Sequence, residues 1–447
     1  MIRLHLLALV LALSLEGRSR TNVPAGFDVI SASGFTLPNG LHVLFSRAPR
    51  RLGAAVALAY KIGAITEDPG NSGSAHVLEH LMTDAPMPGT GETFTSLVAR
   101  AGGVSNAKTT FTTTLYFEYC LKSELAFILS LEAYRMRNLA LTQTSLDHEK
   151  ATAVNEYKSL NGRQPYGTAI EDALRLAAPS FEFSHSPTGT TETIGRLTLA
   201  SVANVYRRYY KPGNAVLVVV ADLSPQRVKR MVGQAFGNIE ASDVEAVSMT
   251  APSSGPSQKS VEEEANVPET RLDMLYRVRS GTVEERAADA VLEELLSNKI
   301  QHLAAPGIAA ANVTITDQGA TSLIWISALL RRGAAAESAI ASISEAAGAL
   351  STAAINDADL ALIRRNVIDR MSTLADDAIE RARALALEAI EGRPVDSLTS
   401  IAAMELEMPN RLRSSIAELA SKFHPFVLIV RPTPAPTATE TNRRGKG

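Results

Sequence analysis

Residues 251–269 (APSSGPSQKSVEEEANVPE) divide the chain into two stretches, each of which opens on strands and continues into helices. The dividing stretch is rich in Pro, Ser and Gly, then acidic, without an apolar period, and so reads as a linker. Ahead of it, 35–45 reads as two short strands around the turn dipeptide Asn39-Gly40, and 52–62 as a third strand. Helical patterns follow at 74–82, 93–101, 123–139 and 144–160. The run 215–221 (AVLVVVA) is apolar throughout, the mark of a strand covered on both faces. A helix at 224–236 comes next, opened by a Ser cap with Pro225 at its first position. Beyond the linker the order recurs. A strand at 271–279 and a helix at 283–303 precede strands near 310–315 and 322–328. Helices at 334–350, 357–374 and 378–391 then lead to a last strand at 425–430. A chain of 447 residues exceeds what one hydrophobic core serves, so 25–250 and 270–431 are expected to be separate domains. The tail, 432–447, is Pro/Thr-rich, then basic, and is expected to be disordered.

Charge and cysteine content exclude several roles. Forty-four basic residues stand against 47 acidic ones, a net charge of -3, so nothing draws the chain to phosphate backbones and nucleic acid is not an expected partner. Cys120 is the only cysteine, which rules out a disulfide within the chain; in its apolar run it reads as a small buried hydrophobe. At the start, Arg3 precedes an apolar stretch, 4–15, broken only by His5 and Ser14. That length suits a signal-peptide core and falls short of the roughly 20 residues a membrane span needs. Residues 1–24 are therefore expected to act as an export signal, although 15–17 lack a small-x-small cleavage pattern. No later stretch is apolar enough to span a bilayer, so a periplasmic or secreted protein is expected.

The chemistry is concentrated in Gly73-Ser-Ala-His76-Val-Leu-Glu79-His80. Residues four apart share a helix face, so His76 and His80 can both point at one ion. Glu79 lies on the same side and can take a proton from water at the metal without itself being a ligand. This is the reversed form of the H-E-x-x-H arrangement. The same spacing on an amphipathic helix with polar neighbours would need no metal. A catalytic zinc site wants a third protein ligand from another element, and Glu149 and Glu156 on the 144–160 helix share a face two turns apart. One could bind metal while the other orients a ligand histidine, and spacing does not say which does which. His148 and His185 lie in polar stretches and read as surface residues; Trp325 reads as core.

These residues resemble the pitrilysin/insulinase family of zinc peptidases, which includes mitochondrial processing peptidase. Its H-x-x-E-H pattern is followed by a ligand Glu at the spacing that separates Glu156 from His80, and Glu149 falls at its supporting Glu. Further likeness lies in Asn39-Gly40-Leu41, in Gly102-Gly-Val-Ser-Asn106-Ala107-Lys-Thr and in Tyr209-Tyr-Lys-Pro-Gly-Asn-Ala-Val. The resemblance implies an α+β fold of two similar α/β domains per chain, each a mixed β-sheet with helices packed mainly on one face. It implies one Zn2+ per chain held by His76, His80 and Glu156, with Glu79 as general base. It also implies an extended peptide or small protein substrate held along the strand that carries Asn106 and Ala107.

The second stretch departs from the family pattern. Where self-sufficient members carry an Arg and a Tyr, this chain has Ala304 and Ala310, which cannot hydrogen-bond an oxyanion or a substrate carbonyl. Arg279 and Tyr276 nearby read as ordinary strand residues. In two-subunit members one chain supplies zinc and the other the Arg/Tyr pair, so a homologous partner subunit is expected here. Two rival readings are a zinc hydrolase acting on other substrates and a catalytically silent assembly or binding subunit of the same fold.

Overall fold

Around Asn39-Gly40 the chain reverses, with Gly40 at φ +92°, and strands β1 (Ser33–Thr36) and β2 (His42–Arg47) pair antiparallel with Phe35 opposite Val43. A positive φ is the conformation glycine adopts without steric penalty. The computed structural model describes residues 30–162, 165–177, 181–241, 260–303, 307–319, 321–352, 355–407, 417 and 425–433. The expected export signal, the 432–447 tail beyond 433 and linker residues 251–259 lie outside the described residues.

The first sheet adds β3 (Gly53–Tyr60), β4 (Val104–Thr109), β5 (Thr114–Leu121) and β6 (Ala215–Ala221), in the order β1-β2-β6-β3-β5-β4. The second is built from β7 (Ser260–Ala265), β8 (Thr270–Arg279), β9 (Ile308–Asp317), β10 (Thr321–Leu330) and β11 (Phe426–Pro432), in the order β7-β11-β8-β10-β9. From β2 onward the first order superimposes on the second, and β1 is extra. β2 runs parallel to β6 as β7 does to β11, and every other matching pair is antiparallel. The recurrence read from element order is thus a recurrence of topology.

β7 corrects the linker. Residues 260–265 (SVEEEA) were expected to be unstructured, yet they form an edge strand whose residues alternate between exposed and half-buried. Its glutamates hide the strand from an apolar reading, and charge on an edge strand also discourages pairing with other chains.

Helices of the first half are α1 (Ser74–Asp84), α2 (Phe94–Arg100), α3 (Leu125–Arg137), α4 (Gln143–Tyr157), α5 (Ala169–Ala177), α6 (Thr191–Arg196), α7 (Leu199–Tyr209) and α8 (Pro225–Phe236). Those of the second are α9 (Val283–Gln301), α10 (Ala336–Thr352), α11 (Asp357–Asp376), α12 (Ala378–Ile390) and α13 (Ser397–Glu407). α13, like α5, α6 and α7 of the first half, has no counterpart among the elements expected from periodicity. The halves exchange one helix each. α12 packs across β3 and β6, so Val216, Val218 and Val220 share a core with Ala382, Leu385 and Ala386. α5 packs on β8 and β11, where Ala173, Leu174 and Ala177 meet Leu275, Phe426 and Leu428. On the other face of β6, Leu217 and Val219 join Val77, Leu78 and Leu81 of α1 in a second core. This two-sided burial is why 215–221 is apolar throughout.

Beneath α1 lies a buried cation. Arg135 of α3 is 2% exposed and donates from Nε to Glu132 (2.8 Å), with a further bond between the same two side chains. It also reaches Glu118 of β5 (3.3 Å) and the Met82 carbonyl of α1 (3.4 Å), and its guanidinium lies 3.7 Å from the centre of the Phe94 ring. Breaking a buried pair from one side strands the other charge. Arg135→Leu is expected to cost about 3–5 kcal/mol of unfolding free energy. Denaturant unfolding of the full chain checks this, and a loss below about 1 kcal/mol contradicts it.

Candidate metal centre

Each site residue is set in place by its own element. α1 starts at Gly73, where φ is +87° and no side chain caps the helix. Its first-turn donors go instead to the buried carboxylate of Glu67: Gly73 N at 2.8 Å, Ala75 N at 2.9 Å and Ser74 Oγ at 3.4 Å. A carboxylate there satisfies amides that have no partner within the helix and complements the positive end of the helix dipole. One turn further on, His76 and His80 stand on the same face, with ring centroids 4.8 Å apart.

α4 packs against α1 and delivers the carboxylates. Glu156 Oε2 lies 3.5 Å from His76 Nε2 and 3.3 Å from His80 Nε2. Glu149, two turns earlier and buried, places Oε2 3.7 Å from His80 Nδ1. Just past Glu156 the helix loosens into a π turn, Lys158–Gly162. Glu79 is held on the open side of α1 by Thr109 of β4, whose hydroxyl donates to Oε2 at 2.5 Å.

The charges of the group are interdependent. Burial works against a charge on His76, but the contact with Glu156, the Glu79 carboxylate and the Thr188 backbone outweigh it and raise its pKa. Burial and the neighbouring His76 lower that of His80. Contact with His76 holds Glu156 below the ordinary carboxylate range, while burial pushes Glu149 up. Burial also raises Glu79, against the opposing Thr109 hydroxyl.

This donor set fits zinc. Among the described residues, His76, His80 and Glu156 form the group whose ligand atoms all lie within 4.8 Å of one another. Donors about 2.05 Å from a tetrahedral ion stand about 3.3 Å apart, and the two imidazole-to-carboxylate separations are 3.3 and 3.5 Å. His80 Nε2 is buried without a hydrogen bond of good geometry, as a nitrogen reserved for a metal would be. Two imidazoles and one carboxylate leave the fourth position open.

The remaining expected residues fall as follows. Asn106 is exposed on β4, the free edge of the first sheet, and its Oδ1 accepts from the Ala107 amide at 2.8 Å; Ala107 turns toward the helix side. His148 is exposed. Cys120 is buried and its thiol is pushed up to about 12 by burial. Trp325 is half-buried and donates to Asp273 at 2.8 Å. Tyr276 is buried in β8. Ala310 is exposed on β9, the free edge of the second sheet, and Ala304 lies outside the described residues. His185 is a correction. Expected at the surface, it is 8% exposed, donating from Nε2 to Glu67 Oε2 at 3.1 Å and from Nδ1 to the Phe181 carbonyl at 2.9 Å. Polar sequence neighbours misled because its partner is distant in the chain. Glu67 and Thr109 were not singled out at all; the only sequence signal for Glu67 is a carboxylate shortly before a helix with no side-chain cap.

Two family models match the chain: insulinase (peptidase family M16) over residues 42–188, and the peptidase M16 inactive domain over 196–371. The chain is similar to the zinc protease PqqE of Helicobacter pylori, 30% identical over 47% of this chain and 48% of the relative. It is 24% identical to the probable zinc protease PqqL of Escherichia coli over 53% of this chain and 26% of that one. It is also 24% identical to the mitochondrial-processing peptidase subunit beta of Blastocladiella emersonii, over 51% and 49% respectively. The match to the first of these relatives covers about half of its length. Among solved structures, a Helicobacter pylori protease shares the fold at a TM-score of 0.80 and 22% identity, over 91% of this chain and all of that one. Pitrilysin does so at 0.69 and 17%, over 91% and 45%. With both halves matched by models of one family and the fold shared over 91% of the chain, the chain belongs to the insulinase family of peptidases, family M16.

Proposed function

We propose that this chain is the zinc-bearing subunit of a peptidase that cuts extended peptides, with one zinc per chain held by His76, His80 and Glu156. The observation that carries the reading is that Glu156 stands 3.3 and 3.5 Å from the two imidazoles, the edge length of a zinc tetrahedron, with Glu79 beside them but outside the ligand set. Zinc, when bound, supplies a Lewis acid and brings the pKa of water to about 7. Glu79 then acts as general base. Thr109 occupies its Oε2 and fixes the carboxylate, leaving Oε1 to take the proton of the attacking water and return it to the departing amine. Glu149 steadies His80 from the far side.

The peptide lies along β4. β4 is the edge of its sheet, so a bound segment adds a strand beside it, with Asn106 and Ala107 along that edge. The Arg/Tyr pair comes from a homologous partner subunit, because β9 offers Ala310 at the corresponding place. We assign export to residues 1–24 on the strength of the apolar 4–15 stretch, a first domain of 25–250, and a second that opens at β7 and runs to 431. No helix among the described residues is long and apolar enough to cross a membrane. Chelation tests the reading. Peptide digestion should disappear when zinc is stripped and return with about one equivalent per chain; digestion that survives stripping, or a chain that never held zinc, refutes it.

A further inference from the structure

Behind the metal ligands lies a buried charge pair that touches no candidate ligand. Glu67 is 5% exposed and accepts from the first turn of α1 through both oxygens. Its fourth donor is His185, and both ring nitrogens of His185 face acceptors only, the Glu67 carboxylate and the Phe181 carbonyl. A ring that donates from both nitrogens is an imidazolium. Burial works against that charge, but the bond to Glu67 outweighs it and raises the pKa of His185. Phe181 stacks on the ring with centroids 4.3 Å apart, closing it from solvent.

The pair fastens the segment 181–190 onto the start of α1. Gly189 and Gly73 meet backbone to backbone, and a Cβ on Gly189 would come within 2.8 Å of Gly73 Cα. One residue earlier, Thr188 follows the same close approach toward the turn of α1 that carries His76. The far end of the segment is held by the second half, where Arg277 of β8 donates to the Ala177 and Phe183 carbonyls at 3.2 Å each. Polar contacts therefore link the second sheet, through Phe183, His185 and Glu67, to the first turn of the helix that carries His76.

We infer that Glu67 and His185 are positioning residues of the zinc site, clamping the first turn of α1 against the 181–190 segment and so fixing the ring of His76. The inference rests on the zinc reading above. Neither residue belongs to the group that can reach the ion, so both act through His76. Groups that orient a ligand histidine typically change metal affinity by about 10–100-fold when removed.

Zinc affinity of the full chain, measured by competition with a chromogenic chelator, tests the clamp, with thermal unfolding of each metal-free chain alongside. His185→Ala and Glu67→Gln should each weaken zinc by about tenfold or more. His185→Gln keeps an N–H for Glu67 and should recover part of the loss. Leu292→Ala, in the core of the second half, should lower the unfolding temperature yet leave zinc affinity within about twofold. If His185→Ala does not fold, His185→Gln and Glu67→Gln carry the test. Zinc affinity in a folded clamp variant that stays within about twofold of the parent overturns the inference, as does an equal loss in Leu292→Ala. A parent chain that binds no zinc overturns the metal reading itself, and the inference with it.

Discussion

Glu79→Gln is expected to keep its zinc and to lose peptide turnover by about 10²–10⁴. The two parts of that outcome have separate causes. Glu79 lies outside the group of candidate ligands, so the amide leaves His76, His80 and Glu156 untouched. It is also close in size to the carboxylate and can still accept from Thr109. What the amide cannot do is take a proton from the attacking water, and general-base assistance is a large share of hydrolysis at neutral pH. Zinc content by mass spectrometry together with the rate on a quenched peptide decides the matter. A variant that loses zinc and activity together would make Glu79 a ligand or a structural group; one that keeps both would remove it from the chemistry.

The second large effect concerns the partner. Alone, the chain is expected to turn over peptide slowly, and adding a homologous subunit with the Arg/Tyr pair should raise the rate by about 10²–10³. That is what one hydrogen-bond donor to a developing oxyanion contributes in hydrolases. Ala310 is exposed on the free edge of the second sheet and carries no such donor. A second copy of this chain would bring only another alanine, so homodimer formation should not substitute. Equal rates with and without the partner, at saturating concentration, contradict this account.

Much of the fold was readable because periodicity reports which face of an element is apolar. The β6 run, the Asn39-Gly40 turn and the Ser224 cap with Pro225 each announced an element through local rules. Periodicity does not say what covers a face. That α12 lies on the first sheet and α5 on the second is a matter of long-range packing, which leaves no mark in either helix's own sequence. β7 was missed for a related reason, since Glu262 and Glu264 point outward from an edge and mimic a solvated linker.

The site divides along the same line. His76 and His80 were legible because one helical turn brings them together. Glu149 and Glu156 share a face of α4, and spacing alone could not rank them; in three dimensions Glu156 approaches both imidazoles, whereas Glu149 approaches only His80. Glu67 and His185 are 118 residues apart, and no local pattern links them. Their pairing became visible only once the first turn of α1 was traced to the carboxylate that satisfies it.

X-ray absorption at the zinc edge, on the metal-loaded chain and on Glu156→Gln, examines the coordination most directly. The account predicts one zinc bound by two imidazole nitrogens and at least one carboxylate oxygen at about 2.0–2.2 Å, with a changed spectrum and weaker binding in the variant. An unaltered spectrum in Glu156→Gln, or a first shell without histidine nitrogen, would contradict it.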